Sequence, residues 1–225
     1  MDFRRLVHDR RSTRGFRPDP PDQALIREII GDAIQSPSSM NSQPWHFHVI
    51  SGDALDNIRQ GNMERMMSGA APNREIQSHG GYEGVHRERQ KAVAAQLFDA
   101  MDIEWGDKER RRDWAMRGFR QFEAPVSVVV TLDRNLSHSH VAYFDLGAVT
   151  YGMVLAAWDR GVGCVINGQG ISQSDVVRQF SNIPEDQIIM ITVAMGWPLD
   201  DFPANDVQSQ RRPVDEVVTF VGFDD

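Results

Sequence analysis

Apolar residues recur at regular spacings along most of the chain, and these spacings predict its main elements. Between residues 23 and 35 they fall three and four positions apart, which is typical of an amphipathic helix, and Asp22 precedes it as an N-cap. Residues 141–159 combine apolar side chains with closely spaced Gly and Ala, which predicts a central helix that neighbouring elements can approach closely. We also expect helices over residues 3–9, 53–60, 87–101 and 174–180.

Strands are predicted where apolar residues alternate or where β-branched residues run together. Residues 46–50 alternate, and residues 126–132 are rich in valine, as expected of a buried strand. Residues 161–166 and 188–198 carry the same signal, and residues 214–220 could finish the chain as a strand or an arm.

The segment from 61 to 122 has the weakest pattern, and we interpret it as a lid or insertion. Its methionines at 63–67 predict the start of a helix, followed by a loose loop at 80–82, and the charge run 108–112 predicts a solvated helical face. Aromatic residues at helical spacing are more often core than lid, so both alternatives stay open. The candidate lid or substrate-contacting residues are Tyr82, Trp105, Trp114 and Phe119.

Composition narrows the class of protein. The 225 residues form most simply one domain, with 40% hydrophobic and 25% charged residues. A formal net charge of −8 argues against a nucleic acid or an anionic membrane as partner. The single Cys164 excludes an internal disulfide and a multi-cysteine metal site. We find no apolar run close to the roughly 18 residues that span a bilayer and no signal-peptide pattern, so we expect a cytoplasmic protein.

Against this acidic background, an arginine-rich segment stands out. Residues 10–14 carry three guanidinium groups and two hydroxyls, and Pro18 disfavours helix in the residue before it. Arginine and serine side chains on an extended backbone suit a phosphate or another multi-oxygen anion. The alternative is a solvated basic arm.

Three further segments are candidates for binding polar groups. The loop 37–45 offers hydroxyls and amides, the turn 167–170 contains two glycines, and Arg211 and Arg212 lie beside Pro213. Each also has an ordinary explanation: a connecting loop, a strand-to-helix turn and solvated arginines.

The chain resembles the FMN-dependent nitroreductase family over nearly its whole length. The resemblance rests on the arginine segment, the loop 37–45, the turn 161–170, residues 195–198 and the arginines beside Pro213. The resemblance implies an α+β fold, in which helices wrap a central, mostly antiparallel sheet, and an intertwined homodimer with FMN at the subunit interface. The implied FMN-binding residues are Arg10, Arg11, Ser12, Arg14, Pro37, Ser38, Ser39, Asn41, Ile166, Asn167, Gly168, Gln169 and Arg211, with residues 37–39 contributed by the partner.

The resemblance also implies the reaction. NADH or NADPH would reduce FMN at N5, and a nitroaromatic compound of the nitrobenzoate, nitrotoluene or dinitroaniline type would then be reduced to hydroxylamine or amine in a ping-pong scheme. Neither a catalytic side chain nor a metal is required. Arg10 or Arg14 would stabilise the negative charge on the reduced flavin. Arg117, Arg120 and Gln121 are candidates for a further polar contact with the flavin.

Four alternatives remain from the sequence. A reductive dehalogenase of the deiodinase type would recognise a zwitterionic amino acid through charged lid residues such as Glu83 and Arg89. An oxygen-dependent breakdown of the flavin would consume FMN stoichiometrically. A non-catalytic store or sensor would bind FMN without turnover, and a plain anion-binding module would be colourless.

Overall fold

A computed structural model describes residues 2–76 and 80–223, and its centre is one antiparallel sheet. The strands are β1 (Trp45–Ser51), β2 (Val126–Asp133), β3 (Gly163–Asn167) and β4 (Gln187–Gly196), in the order β1-β2-β4-β3. The register of the central strands is seen at Val128 of β2, which lies opposite Val49 of β1 on one side and Val193 of β4 on the other. The predicted α+β class with a central antiparallel sheet is confirmed.

Helices surround this sheet in the part of the chain that the structure describes. They are α1 (Phe3–Asp9), α2 (Gln23–Ala33), α3 (Gly52–Met67), α4 (Gly84–Ala100), α5 (Lys108–Met116), α6 (His140–Asp159) and α7 (Ser174–Ser181). Asp22 caps α2 as predicted, since its carboxylate accepts a hydrogen bond from Leu25 N at 2.7 Å. The prediction that residues 63–67 begin a helix is wrong: they form the last turns of α3, which is about twice as long as the pattern at 53–60 indicated. No strand forms between 214 and 220; a short 3-10 turn, Val214–Glu216, lies there instead.

The sheet is covered on both faces, and β2 shows why. Side chains alternate between the two faces of a strand, so Val128 and Val130 pack with α2 and α6, while Val129 packs with α3 and α7. Both faces of such a strand are closed to solvent, and its two polar residues, Ser127 and Thr131, are buried as well. This explains why residues 126–132 are rich in valine on both faces.

Helix α6 lies at the centre of one of these layers. Leu146, Val149 and Met153 on its inner face are almost completely buried against the sheet and α2. Contrary to our expectation for apolar runs, this helix is long and apolar enough to cross a bilayer, with a mean hydropathy of 1.3 over 18 residues. Its packing against the sheet accounts for that hydropathy, because 44% of the apolar window is buried inside the fold. The opposite face of α6 is exposed and is described below.

An ion pair connects the segment after α3 to the sheet. Glu75 pairs with Arg178 of α7, accepts a hydrogen bond from Ile189 N at 2.8 Å and lies 4.0 Å from Arg134. Burial raises the pKa of Glu75, but hydrogen bonds from Arg178 and Ile189 and the charges of Arg178 and Arg134 hold that pKa below its usual value. The ionised carboxylate therefore stabilises the fold.

We predict that Glu75→Gln lowers the free energy of unfolding at pH 7 by about 1–3 kcal/mol, because Arg178 and Ile189 N lose a charged acceptor. Since the folded-state pKa is depressed, this stabilisation is present above the ordinary glutamate pKa of about 4.3 and disappears as the pH falls through the folded-state value. Urea unfolding between pH 3 and pH 8 would measure it, with the exposed Glu88→Gln as control. A destabilisation that does not change with pH would contradict the role of the charge.

Candidate functional site

The arginine segment lies along β3, as an addition to the edge of the sheet. Ser12 forms a parallel bridge with Cys164, and Thr13 N donates to Cys164 O at 3.0 Å. The buried Thr13 side chain fills the space over Gly163, where a Cβ would lie 2.3 Å from the threonine hydroxyl. Any larger residue at 163 would push the segment away from the sheet. The extended conformation predicted from Pro18 is therefore reinforced by pairing.

The backbone of Arg14 is held from two sides. Asn205 Oδ1 accepts hydrogen bonds from Arg14 N at 2.7 Å and from Gly15 N at 3.0 Å. Arg117 Nη2 donates to Arg14 O at 2.9 Å, while its guanidinium lies 4.7 Å from the centre of the Phe202 ring. An amide from the C-terminal segment and a guanidinium from the region after α5 thus fix the direction of the Arg14 side chain.

Five of the predicted residues line one cavity of about 410 Å³. They are Arg10, Arg11, Ser12, Arg14 and Arg211. The cavity therefore joins the N-terminal segment to the C-terminal segment, which are about 200 residues apart in the sequence. His8 and Tyr151 of α6 also contribute to its wall, and the sequence pattern did not identify either of them.

The cavity has an excess of positive charge. Arg11 pairs with Asp206 at 3.2 Å, but neither Arg10 nor Arg14 forms an ion pair with any residue in 2–76 or 80–223. The Nε atoms of Arg10 and Arg11 are buried without a hydrogen-bond partner. Burial lowers the pKa of Arg14, because the charged form loses water. Arg14 Nη1 donates to Ser12 O at 3.2 Å, which orients the guanidinium without neutralising its charge. Guanidinium groups without an ion pair, together with the Ser12 hydroxyl, fit a phosphate group.

The loop 37–45 does not line this cavity in the same chain. Ser39 N donates to the buried Asp145 carboxylate of α6 at 3.1 Å, and Ser38 Oγ accepts from Gln43 N at 3.0 Å. Met40, Asn41 and Gln43 all have positive φ values, between 46° and 57°. Residues other than glycine rarely adopt these backbone angles, and residues in sparsely populated backbone regions cluster at functional sites. Pro37, Ser38, Ser39 and Asn41 are thus held in a strained loop on α6, and their contact with a ligand stays a prediction.

The turn after β3 is built around Asn167. Its side chain is 4% exposed, donates to Gly118 O at 2.7 Å and accepts from Gln169 N at 3.1 Å. Gln169 Nε2 in turn donates to Ala115 O at 3.1 Å. Both side chains are therefore occupied within the protein, and any contact of Asn167 and Gln169 with a ligand would use the backbone. Ile166 is half exposed, and a Cβ at Gly168 would meet only Ile191 Cδ1, at 3.7 Å, so this side of the turn is accessible to a flat ligand.

The candidate lid aromatics fall into different places. Tyr82 lines a second cavity beside the first, whereas Trp105, Trp114 and Phe119 line neither of the two. Trp105 packs on Phe98, with Arg111 over its ring at 4.3 Å, and Trp114 stacks on Phe202 at 6.3 Å. Within one chain the rings of Trp105 and Trp114 thus pack against other aromatic side chains; the role of all three residues as a lid stays a prediction.

The three polar candidates from this region also have partners within the chain. Arg117 and Arg120 both pair with Glu123, and the buried Gln121 contacts Gly170 O and Asn167. Residues 121–123 have left-handed backbone angles, so this turn is held in an unusual conformation. Arg117 supports the cavity wall through its bond to Arg14 O, whereas Arg120 and Gln121 bond residues outside that wall.

Sequence reasoning missed Asn205 and Asp145. Asp145 could have been noticed in the sequence, because it is an acidic residue in the middle of an otherwise apolar helical segment. Asn205 could not, since its neighbours form an irregular segment with no periodic pattern.

Comparison with known proteins shows the family of the chain. The model of the Nitroreductase family matches residues 7–197. The chain is 31% identical to the nitrobenzene nitroreductase of Ectopseudomonas oleovorans, over 96% of this chain and 95% of that protein, and 30% identical to the chloronitrobenzene nitroreductase of Comamonas testosteroni, with the same coverage. The crystal structure of the FMN- and NADPH-dependent nitroreductase NfnB from Sphingopyxis sp. strain HMH superimposes with a TM-score of 0.90 at 25% identity, covering 99% of this chain and 100% of that one. The protein is an oxidoreductase that belongs to the Nitroreductase family.

We predict opposite effects from two substitutions at the cavity. Arg14→Met should leave the ligand-free protein's free energy of unfolding within about 0.5 kcal/mol of the original or raise it, because an unpaired, partly buried charge is removed. Asn205→Ala should lower that free energy by about 1–3 kcal/mol, because two backbone N–H groups lose their acceptor. Chemical unfolding measures both values. A large loss of stability in Arg14→Met would show that the arginine serves the fold and not a ligand.

Proposed function

We propose that the protein is an FMN-dependent NAD(P)H nitroreductase that acts on nitroaromatic compounds. The observation that carries this proposal is the cavity in which Arg10, Arg14 and Arg211 converge, where no acidic residue of the described chain forms an ion pair with the first two. The relatives named above reduce nitrobenzene and chloronitrobenzene according to their names. Both lines of support point to a small, flat acceptor and a phosphate-bearing cofactor.

In this proposal the protein's residues bind and orient. Arg10, Arg14, Arg211 and the Ser12 hydroxyl hold the FMN phosphate and the polar side of the ring, and the backbone of the turn after β3 borders the ring. Bound FMN would supply the hydride chemistry that links a nicotinamide donor to a nitro group. The fixed positive charge of the cavity favours binding of anions and lowers the energy of negative charge that develops near it. No side chain is assigned as a catalytic acid or base.

We infer further that the active form is a homodimer. The outer face of α6 exposes Phe144 (79%) and Tyr151, and the tail beyond residue 213 exposes Phe220 (69%) and other apolar side chains. Val141, Phe144 and Tyr151 lie on one face of α6, and an exposed apolar helix face of this kind is typical of an interface. Tyr151 of this face also lines the arginine cavity, and the strained loop 37–43 rests on the same helix. A partner that covers α6 would therefore bring its own loop close to the cavity.

The experiment that tests the proposed activity is an anaerobic titration of the protein with NADH or NADPH, monitored by visible absorption. The purified protein should show a flavin spectrum that bleaches with NADH or NADPH and recovers when a nitroaromatic such as nitrobenzene is added. Recovery with 3-iodotyrosine in place of the nitro compound would favour the dehalogenase alternative. A flavin spectrum that does not bleach would favour a store or sensor, and a protein that cannot be loaded with FMN would overturn the proposal.

We predict that Arg14→Ala and Arg211→Ala each weaken FMN binding by about tenfold or more, because each removes a charge-assisted contact with the phosphate. Equilibrium dialysis measures the dissociation constant, and size-exclusion chromatography checks that the assembly persists. Arg212→Ala is the matched control, since its neighbour Arg211 lines the cavity and Arg212 does not. Unchanged FMN affinity in both variants would refute this assignment.

We also predict that Phe144→Glu converts the dimer to a monomer, because a charge would be buried at the interface. Light scattering at several concentrations measures the mass. Met66→Glu, at another exposed apolar position, should remain dimeric. If Phe144→Glu is as dimeric as the control, α6 is not the interface.

A further inference from the structure

A second cavity, of about 520 Å³, adjoins the arginine cavity. One face of α4 and the loop before it form most of its wall, through Tyr82, His86 and Arg89, and the C-terminal segment closes the other side. Val93 and Ser209 line both cavities, so the two spaces share a wall. A ligand in the second cavity would lie directly beside one in the first.

The charge of this cavity has one sign. Its described lining contains Arg89 and His86 but neither an aspartate nor a glutamate. Arg87, one position away from His86, is bonded to Gln90 Oε1, whereas Arg89 forms no ion pair or side-chain hydrogen bond with the residues of 2–76 and 80–223. In a chain with a net charge of −8, an unpaired arginine in a cavity wall attracts anions.

The wall also contains an amide side chain with an unsatisfied atom. The Oε1 atom of Gln96, one helical turn beyond Val93, is buried without a hydrogen-bond partner. Buried polar atoms in folded proteins usually have a partner, and a rotation of this side chain toward the cavity would let a ligand donate to the amide oxygen. The ring of Tyr82, 6.4 Å from that of His86, adds a flat surface. Cation, amide and ring together suit a flat molecule that carries an anionic group.

We propose that Arg89, assisted by His86, is a specificity-determining anion site that recognises the negatively charged group of an aromatic ligand bound beside the FMN site. This inference rests on the proposed function. The anionic group is either the carboxylate of an acidic nitroaromatic acceptor or a phosphate of the nicotinamide donor. The chemistry is the same in both cases: a guanidinium donates charge-assisted hydrogen bonds to two oxygens.

The test is equilibrium binding to the FMN-loaded protein by calorimetry, without turnover. Two matched pairs of ligands separate the sources of the anion: 4-nitrobenzoate against its methyl ester, and NADP⁺ against NAD⁺. Arg89→Met is compared with Arg87→Met, which removes the same charge from the same helix outside the cavity, and Arg89→Lys keeps the charge. FMN content and the melting temperature of each variant report on folding.

We expect Arg89→Met to raise the dissociation constant of one charged ligand by about tenfold, and that of its neutral or less charged counterpart by less than twofold. Arg87→Met should change neither, and Arg89→Lys should preserve most of the preference. A loss confined to 4-nitrobenzoate assigns the site to the acceptor, and a loss confined to NADP⁺ assigns it to the donor. Equal effects on both members of each pair, no effect, or the same loss in Arg87→Met would overturn the inference. Failure of the unsubstituted protein to bind FMN would instead overturn the proposed function.

Discussion

The charge of Arg14 is held in a partly buried position where no carboxylate of the described residues pairs with it, and much of the surrounding structure serves to keep it there. Pairing of Ser12 and Thr13 with Cys164 fixes the segment to the sheet, Asn205 holds the amides, and Arg117 holds the carbonyl. A guanidinium that loses water without gaining an anion costs free energy. Such an arrangement is retained where a ligand supplies the missing charge, which is why we place the cofactor phosphate there.

The same constraint connects distant parts of the chain. Asn205 belongs to the C-terminal segment, Arg117 to the region after α5, and Tyr151 to the central helix, yet all three lie at or behind one cavity. The region between 61 and 122 therefore has two functions in our account. Its last part supports the phosphate site from behind through Arg117, and its helix α4 forms the wall of the neighbouring cavity, where we infer that the anionic group of a second ligand is recognised.

Much of this fold could be predicted from the sequence, because it depends on local patterns. The apolar spacing of α2 and the valines of β2 report burial directly. The end of α3 could not be predicted, since its last turns at 61–67 are half exposed and lack an apolar stripe. Nor could the left-handed angles at Met40, Asn41 and Gln43 and at residues 121–123, because residues other than glycine rarely adopt them and no local pattern indicates them. The same holds for the candidate site. Its arginines could be identified by residue type. The hydrogen bonds of the Asn167 side chain to Gly118 and of Asn205 to the amides of Arg14 and Gly15 depend on residues far away in the chain.

The most direct test of the central claim is the ratio of the dissociation constants of riboflavin and FMN. The two molecules share the same ring and differ by the phosphate, so the ratio isolates what the arginine cavity contributes. If unpaired guanidinium groups bind the phosphate, FMN should bind at least about 100-fold more tightly than riboflavin at low salt, and the ratio should fall as the ionic strength rises. Equal affinities for the two flavins, independent of salt, would show that the charge of Arg14 serves some other purpose.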